Sequence, residues 1–385
     1  MNAQIVLPGR TAPLDVPTPA WAAGYPPPVR RSVYAAAHVA ACPDGSIDWD
    51  STLRFREQLW RHGFGVAEAM DTAQRGMGLT FGQARELISR SSARAAELGM
   101  RIASGAGSDQ LTAGVHSLTA IIGAYADQVD FVQAAGSQVI VMASRALAAS
   151  ARSADDYLEV YRQVLTVARQ PVLLHWLGAA FDPALRGYWG SEDLEAAAET
   201  VLRLVERADG KVAGIKLSVL DASHERALRR RLPSGVRLYT GDDYNYAELI
   251  RGDADGRYSD ALLGAFAAIT APAAAALHAL DLGDLAGYDA AMEPTVALSR
   301  LIFAEPTYDY KVGVAFLAWL NGFQPHFAML AGWQDRRSPE HLIGIFELAA
   351  AAGALHDPQL AVGRMSEYLA SAPRSRAQPD RRRVP

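Results

Sequence analysis

The segment GIKLS places Lys216 in a run that otherwise has the pattern of a buried β-strand. Lysine is rare in this chain, since only three of the 37 lysine and arginine residues are lysines. Arginine keeps its charge at neutral pH, whereas a lysine removed from water can lose its proton. A neutral amine attacks carbonyl carbon atoms and forms a Schiff base. The residue type and its setting therefore indicate Schiff-base chemistry, with an ion pair to Asp71, Asp242 or Asp243 as the alternative.

His175 and the acidic pair Asp242 and Asp243 are further candidates for chemistry. His175 lies in the apolar run LLHWLG. Imidazole serves as a general acid or base near neutral pH, although a structural hydrogen bond is the alternative role. The two aspartates follow the β-like run VRLYT and are expected to hold substrate hydroxyl groups or to orient Lys216. These residues act together only if the fold brings them to one place.

Short β-like runs alternate with longer amphipathic segments along residues 32–266. Strands that alternate with amphipathic helices form parallel βαβ units. Eight such units in about 240 residues predict an α/β chain of the (β/α)8 TIM barrel class. The sequence contains no GxGxxG after the first run and no GxxxxGK[ST], so nothing favours an open nucleotide-binding sheet. The predicted strands cover residues 32–40, 63–70, 100–107, 138–144, 171–178, 212–218, 236–241 and 258–266.

Four segments are predicted along the chain. Residues 1–30 contain seven prolines and are expected to form an extended arm. Residues 31–270 are assigned to the barrel and residues 271–372 to a C-terminal helical appendage packed on it. Residues 373–385 are expected to be a disordered basic tail.

The chemistry of such barrels gathers where the strands end, at their carboxyl termini. Side chains alternate along a strand, so Lys216 is expected to face the interior while Ile215 and Leu217 face the helices. The insertion FDPALRGYWGSED follows the predicted strand that contains His175, and its aromatic residues either cover the mouth or pack the insertion itself. The residues predicted to bind substrate at the strand ends are Asp71, Thr72, Arg75, Ser144, Arg145, Trp176, Asp242 and Asp243.

Composition excludes several classes of partner. A net charge of -5 and a pI near 6.0 give no reason to expect nucleic acid or an anionic membrane. No apolar stretch reaches the length of a membrane span, and the N-terminus lacks a signal-peptide pattern. The single cysteine, Cys42, cannot form an intramolecular disulfide. We therefore expect a cytoplasmic protein that acts on a small molecule, and we expect a homo-oligomer.

Several pieces of the chain resemble, in the same order, the class I Schiff-base aldolase superfamily of dihydrodipicolinate synthase and N-acetylneuraminate lyase. The segment GIKLSVLD resembles that superfamily's GIK strand, whose lysine forms the imine. Residues 34–66 resemble its opening strand, turn and first helix. The segment YTGDD at 239–243 resembles the GDD that follows its lysine strand. Residues 301–322 resemble its helical segment with the sequence EPNP. The resemblance implies a divergent lyase, either an aldolase or a hydro-lyase, that needs no cofactor because Lys216 itself binds the carbonyl substrate.

Two regions depart from that superfamily. Its GTTGE loop, which holds the substrate carboxylate, corresponds to MDTAQRG at 70–76, where Thr72 keeps the role and Asp71 adds a negative charge. Repulsion between carboxylates favours a keto sugar or keto-polyol, whereas Arg75 binding a carboxylate would favour a 2-keto acid. His175 stands where the superfamily has a tyrosine that relays protons.

Two other functions remain open on sequence alone. A metal-dependent sugar isomerase or aldolase would use carboxylate and imidazole ligands, although no compact HxH or HExxH spacing supports a metal. A sugar-binding barrel without catalysis is the other alternative, since fold alone does not establish activity. The candidate metal ligands are His38, Glu68, Asp71, His175 and Asp243.

Overall fold

The computed structural model describes residues 3–70 and 74–371. Eight parallel strands pair in chain order and the last pairs with the first, so the sheet closes into a barrel. Each of these strands lies within a predicted run, which confirms the (β/α)8 fold class. The strands are β1 (Ala3–Ile5) and β2 (Leu14–Val16) in the N-terminal segment, and β3 (Val33–Ala36), β4 (Gly65–Glu68), β5 (Ile102–Ala106), β6 (Gln138–Val141), β7 (Val172–Leu177), β8 (Val212–Ser218), β9 (Arg237–Thr240) and β10 (Asp260–Leu263) in the barrel.

Helices follow the barrel strands and surround them. Polar side chains fix where several begin: Thr80 and Gln83 form a reciprocal capping box, and Asp193 accepts from the amides of Glu195 and Ala196. Apolar residues at three- and four-residue spacings then face the strands. These helices are α1 (Trp49–Arg61), α2 (Phe81–Leu98), α3 (Leu118–Ala134), α4 (Arg145–Ser150), α5 (Ala154–Val167), α6 (Leu194–Glu206), α7 (Ala222–Arg231), α8 (Tyr246–Arg251) and α9 (Ala265–Ala268).

Five further helices follow the barrel. Every residue of the third of these helices is buried, and its apolar side chains belong to the same core that lies between the barrel strands and the helices. Lys311 opens that helix and donates from Nζ to the carbonyl oxygen of Ala36 over 2.7 Å, which fixes the helix at the carboxyl end of β3. The helices are α10 (Thr270–Asp281), α11 (Leu285–Ile302), α12 (Lys311–Leu320), α13 (Pro339–Ala351) and α14 (Pro358–Ser371).

The proline-rich N-terminal segment packs on these late helices. Its strands β1 and β2 pair antiparallel, and Leu7 and Val16 are buried. Farther along, Trp21 donates from Nε1 to the carbonyl oxygen of Gly353 over 2.7 Å. Apolar burial and this hydrogen bond therefore hold the segment against its own chain.

Side chains fill the barrel interior. Tyr34 and Tyr239 occupy its amino-terminal end, and an ideal Cβ on Gly65 or Gly214 would collide with one of these rings. Small and branched residues fill the middle, and Met70 and Met142 lie at the carboxyl end. Within the described part of the chain, no helix is both long and apolar enough to traverse a bilayer. The interior cluster comprises Tyr34, Ala36, Ala67, Met70, Ala103, Ile140, Met142, Leu173, Tyr239 and Leu262.

Candidate active site

Lys216 lies near the carboxyl end of β8 and faces the barrel interior. The adjacent residues Ile215 and Leu217 are fully buried on the opposite face, in the core between strands and helices, as side-chain alternation predicts. Only 5% of Lys216 is exposed, and its Nζ lies 3.6 Å from the sulfur of Met70. The amine is therefore buried at the end of the barrel where such folds carry their chemistry.

His175 is the neighbour of Lys216 across the parallel pair of β7 and β8. Its Nε2 lies 3.4 Å from Oγ of Ser218, and its buried Nδ1 has no hydrogen-bond partner among the described residues. Burial, and then the charge of Lys216, hold the pKa of His175 well below its ordinary value of 6.5. The imidazole is therefore neutral at physiological pH.

Ser218 and Gly241 complete the surroundings of the amine. Ser218 lies two residues beyond Lys216 on β8 and so faces the same side. An ideal Cβ on Gly241 would lie 2.8 Å from Cε of Lys216 and would overlap the hydroxyl of Ser218. Only a glycine at 241 leaves room for the lysine in this position. Sequence reasoning missed Ser218, Gly241 and Met70, although the two-residue period of β8 identifies Ser218.

Asp242 and Asp243 are buried at the carboxyl end of β9, where they organise the following loop. The carboxylate of Asp242 accepts from the amides of Tyr244 at 2.9 Å and Asn245 at 3.0 Å, and burial raises its pKa. Asp243 accepts from the amide of Ala265 at 2.9 Å. Both predicted binding residues thus have structural hydrogen bonds that fix the loop beside Gly241.

Arg75 is buried and engaged by other protein groups. It forms a two-pronged ion pair with Asp109 at 2.9 Å and donates to the carbonyl oxygens of Ala69 and Gly105. These bonds correct the expectation that Arg75 reaches into the site to bind a carboxylate, since its donors are already used. The predicted binding residues Asp71 and Thr72 lie outside the described residues.

Ser144 and Arg145 lie at the start of α4, at the carboxyl end of β6. The hydroxyl of Ser144 caps α4 through the amide of Leu147 at 3.0 Å and lies 2.5 Å from the hydroxyl of Ser108. Arg145 donates from Nε to Asp182 over 2.6 Å. Both residues line a cavity of about 420 Å³ at the ends of β5 and β6, called the β5–β6 pocket below.

Trp176 points away from Lys216, which corrects its predicted role in substrate binding. Adjacent residues of a strand face opposite sides, so an inward His175 requires an outward Trp176. The indole contacts the ring of His224 on α7, with centroids 5.4 Å apart. Tyr188 and Trp189 of the insertion are also buried, and the ring of Trp189 contacts that of Tyr161 on α5 with centroids 4.4 Å apart, so they pack the insertion.

Two of the candidate metal ligands, Glu68 and His38, are engaged by other side chains. Glu68 forms a fully buried, two-pronged ion pair with Arg56 at 2.8 and 2.9 Å. His38 bonds through Nε2 to Gln324 at 2.6 Å, and burial lowers its pKa to about 3. In the described ranges, no three His, Cys, Asp or Glu side chains are grouped as a metal ion would require.

The fold is similar to solved structures of dihydrodipicolinate synthases. That from Thermotoga maritima matches with a TM-score of 0.65 at 14% identity, covering 84% of this chain and 99% of that chain. A prophage protein of the dihydrodipicolinic acid synthase family from Escherichia coli K12, in complex with pyruvate, matches at 0.64 and 14% identity over 83% and 98%. The chloride-inhibited synthase from Acinetobacter baumannii, complexed with pyruvate, matches at 0.62 and 16% identity over 85% and 100%. At these identities the similarity establishes a shared fold.

Comparison with curated proteins finds no match. One family model matches residues 11–373, which is nearly the whole chain. The chain therefore belongs to the family described as protein of unknown function (DUF993).

Proposed function

We propose that this protein is a lyase of the class I aldolase type, which binds a small carbonyl compound as a Schiff base on Lys216. The position of the amine carries the proposal. It lies buried inside the carboxyl end of the barrel, 3.6 Å from a thioether and beside His175 on the neighbouring strand. Buried ionisable groups at the carboxyl ends of barrel strands are typical of catalytic sites.

The first step forms the imine. The neutral amine of Lys216 adds to the carbonyl carbon, and the carbonyl oxygen takes one proton from the nitrogen and a second from solvent before it leaves as water. The nitrogen is then part of a protonated imine. This cation accepts the electron pair of a bond that breaks at the neighbouring carbon atom, which allows either carbon-carbon cleavage or proton removal followed by dehydration.

His175 is the base that the reaction requires. Its neutral imidazole accepts the proton either from a substrate hydroxyl whose carbon-carbon bond breaks or from the carbon beside the imine. Ser218, 3.4 Å from Nε2, holds the ring in place. Because the pKa of His175 is depressed, the base stays unprotonated below neutral pH.

The fold similarity supports this chemistry, as does the position of the GIK segment on β8, the sixth strand of the barrel. We assign the protein to the dihydrodipicolinate synthase superfamily as a divergent member. Its substrate is then a keto sugar, a keto-polyol or a 2-keto acid. Cleavage, condensation and dehydration all proceed through the same imine.

Borohydride trapping tests the proposal. The protein is incubated with a panel of ketoses and keto acids, reduced, and weighed by intact mass spectrometry. A stable mass increase equal to the substrate minus one oxygen atom is expected, and peptide mapping is expected to place it on Lys216. The adduct is expected to be absent from Lys216→Ala and Lys216→Arg.

Lys211→Ala is the matched control, because Lys211 lies outside the barrel interior and donates to the carbonyl oxygen of Ala168 over 2.7 Å. This variant is expected to form the adduct as the wild type does. An adduct that persists in Lys216→Ala, or a wild type that forms none across the panel, would contradict the proposal.

A further inference from the structure

The β5–β6 pocket is a cavity at the same end of the barrel as the proposed catalytic lysine. Its volume of about 420 Å³ is in the range of small-molecule sites. It opens at the carboxyl ends of β5 and β6, the same end of the barrel that holds Lys216. The residues around it are Arg75, Gly76, Gly107, Ser108, Asp109 and Leu111, then Thr112 to Gly114, Met142 to Ala146, Ala149 and Ala184.

Two methionines separate this pocket from the amine. Met142 forms part of the pocket wall and belongs to the barrel interior. An ideal Cβ on Gly105 would lie 2.6 Å from the sulfur of Met142 and 2.9 Å from Cα of Met70, so these residues meet over Gly105. The sulfur of Met70 in turn lies 3.6 Å from Nζ of Lys216. Methionine side chains are unbranched and adapt their shape, so these two residues can shift when a ligand binds.

The formal charges at the pocket balance, because Arg75 pairs with Asp109 and Arg145 with Asp182, so an acidic ligand group would meet the outer nitrogens of Arg145 rather than a net positive charge. Two arginines and one aspartate line it. Asp109 is neutralised by Arg75, whose donors are occupied. Arg145 uses only Nε for its ion pair with Asp182, which lies outside the lining, and its side chain is 41% exposed. Its outer nitrogens border the pocket near Gly76 and Met77.

We propose that the β5–β6 pocket binds an acidic end group of the substrate, a carboxylate or phosphate, with Arg145 as the cation. Ser108 and Ser144 line the same cavity, and because one hydroxyl donates to the other, the accepting hydroxyl keeps its own proton for a ligand. The inference rests on the proposed function and narrows its substrate class. The negative charge of such a substrate lies several atoms away from its carbonyl carbon. This agrees with the sequence, in which Asp71 occupies the segment that corresponds to the GTTGE carboxylate loop and would repel a carboxylate there.

Matched pairs of ketones test this inference. The first pair is 5-oxohexanoate and neutral 2-hexanone, and the second is dihydroxyacetone phosphate and dihydroxyacetone. The half-saturating concentration for borohydride-trapped adduct is measured for each. Arg145→Gln is expected to raise this concentration about 10- to 100-fold for the acidic member of the pair that fits and to leave the neutral member unchanged. The pair of ketones whose acidic member is affected by Arg145→Gln shows whether the pocket binds a carboxylate or a phosphate.

Two further variants separate charge from structure. Arg145→Lys keeps a cation opposite Asp182 and is expected to show a smaller increase than Arg145→Gln. Arg152→Gln is the control, since the Arg152 side chain is 90% exposed and lies outside the pocket lining. It is expected to match the wild type with every ketone. Equal changes for acidic and neutral ketones in Arg145→Gln, or no change for either, would overturn the inference.

A binding measurement keeps the inference testable if no adduct forms. Calorimetric titration of 5-oxohexanoate and of dihydroxyacetone phosphate into Lys216→Ala measures binding without imine formation. Binding that Arg145→Gln abolishes in this background supports the pocket assignment even where trapping fails. Absence of binding by both probes, or binding that does not depend on Arg145, overturns it, while the adduct on Lys216 decides the proposed function separately.

Discussion

His175 and Lys216 lie opposite each other in the register of β7 and β8, and both side chains face the barrel interior. The register places a base beside an amine without any contribution from loops. The charge of Lys216 also adds to burial in lowering the pKa of His175. In the proposed mechanism, the pair combines the nucleophile Lys216 with the base His175, whose lowered pKa keeps its imidazole neutral.

Replacing His175 is expected to separate imine formation from the later proton transfer. In His175→Asn, the borohydride adduct on Lys216 is expected to persist, whereas exchange of the α-proton of bound substrate for deuterium slows about 10²- to 10⁴-fold, the usual contribution of a general base. In the wild type, the exchange rate is expected to lack an acid limb near pH 6.5, because the pKa of His175 is depressed. Mass spectrometry of reactions in D₂O measures the yield of the adduct and the rate of α-proton exchange. Unchanged exchange in the variant would remove His175 from the mechanism.

Gly241→Ala is expected to abolish adduct formation while the barrel stays folded. A Cβ at this position would come within 2.8 Å of Cε of Lys216 and overlap the Ser218 hydroxyl, so the lysine stem must move. Gly123→Ala is the control, since an added Cβ on Gly123 in α3 meets nothing within 4 Å. Trapping yield and circular dichroism are compared for the two variants. Normal trapping in Gly241→Ala would show that the amine does not depend on this packing.

The spacing of apolar and polar residues along the sequence predicted most of the fold. Alternating runs and amphipathic segments predicted all eight barrel strands, and the apolar residues Ile215 and Leu217 fixed the direction of Lys216 between them. The same alternation argues against Trp176 as a substrate contact once His175 faces inward.

Contacts between distant segments of the chain could not be predicted from the sequence. Arg75 and Asp109 are 34 residues apart, and Arg145 and Asp182 are 37 apart. Neither pair has a local spacing pattern, since the loops after different strands bring them together. The sequence therefore identified arginines at the strand ends but could not tell that one is fully engaged while the other borders a cavity.

The buried ion pair of Arg56 and Glu68 is expected to be essential for stability. Both side chains are fully buried, and Arg56 also donates to the carbonyl oxygens of His38 and Thr52. Arg56→Met leaves the carboxylate uncompensated and is expected to lower the free energy of unfolding by about 3–5 kcal/mol. Chemical denaturation measures this change. Arg162→Met, which removes the exposed partner of Glu159, is the control and is expected to cost at most about 1 kcal/mol. Equal losses in the two variants would contradict the expectation.

Glu225 is expected to make the protein less stable as pH rises. It is buried behind β9, where Ser259 donates to it at 2.6 Å and Thr240 at 3.0 Å, and burial raises its pKa from 4.5 to about 8. The folded state thus binds this proton more tightly than the unfolded state, so the stabilisation is complete below pH 4.5 and is lost as the pH rises towards 8. Glu225→Gln removes this loss of stability and is expected to raise the free energy of unfolding at pH 8.5 by a few kcal/mol. Each tenfold difference in proton affinity between the folded and unfolded states corresponds to about 1.4 kcal/mol.

The matched control for this change is Glu192→Gln, because 68% of the Glu192 side chain is exposed. Denaturation curves of both variants and the wild type are compared between pH 5 and 9. The difference between Glu225→Gln and the wild type is expected to grow with pH, and that between Glu192→Gln and the wild type to stay small throughout. Thr240 also accepts from the amide of Asp242 at 3.2 Å, so ionisation of Glu225 acts on the strand end that carries Gly241. A wild-type stability that is flat across this range would show that Glu225 already finds its charge compensated by Arg229 and the hydroxyl donors.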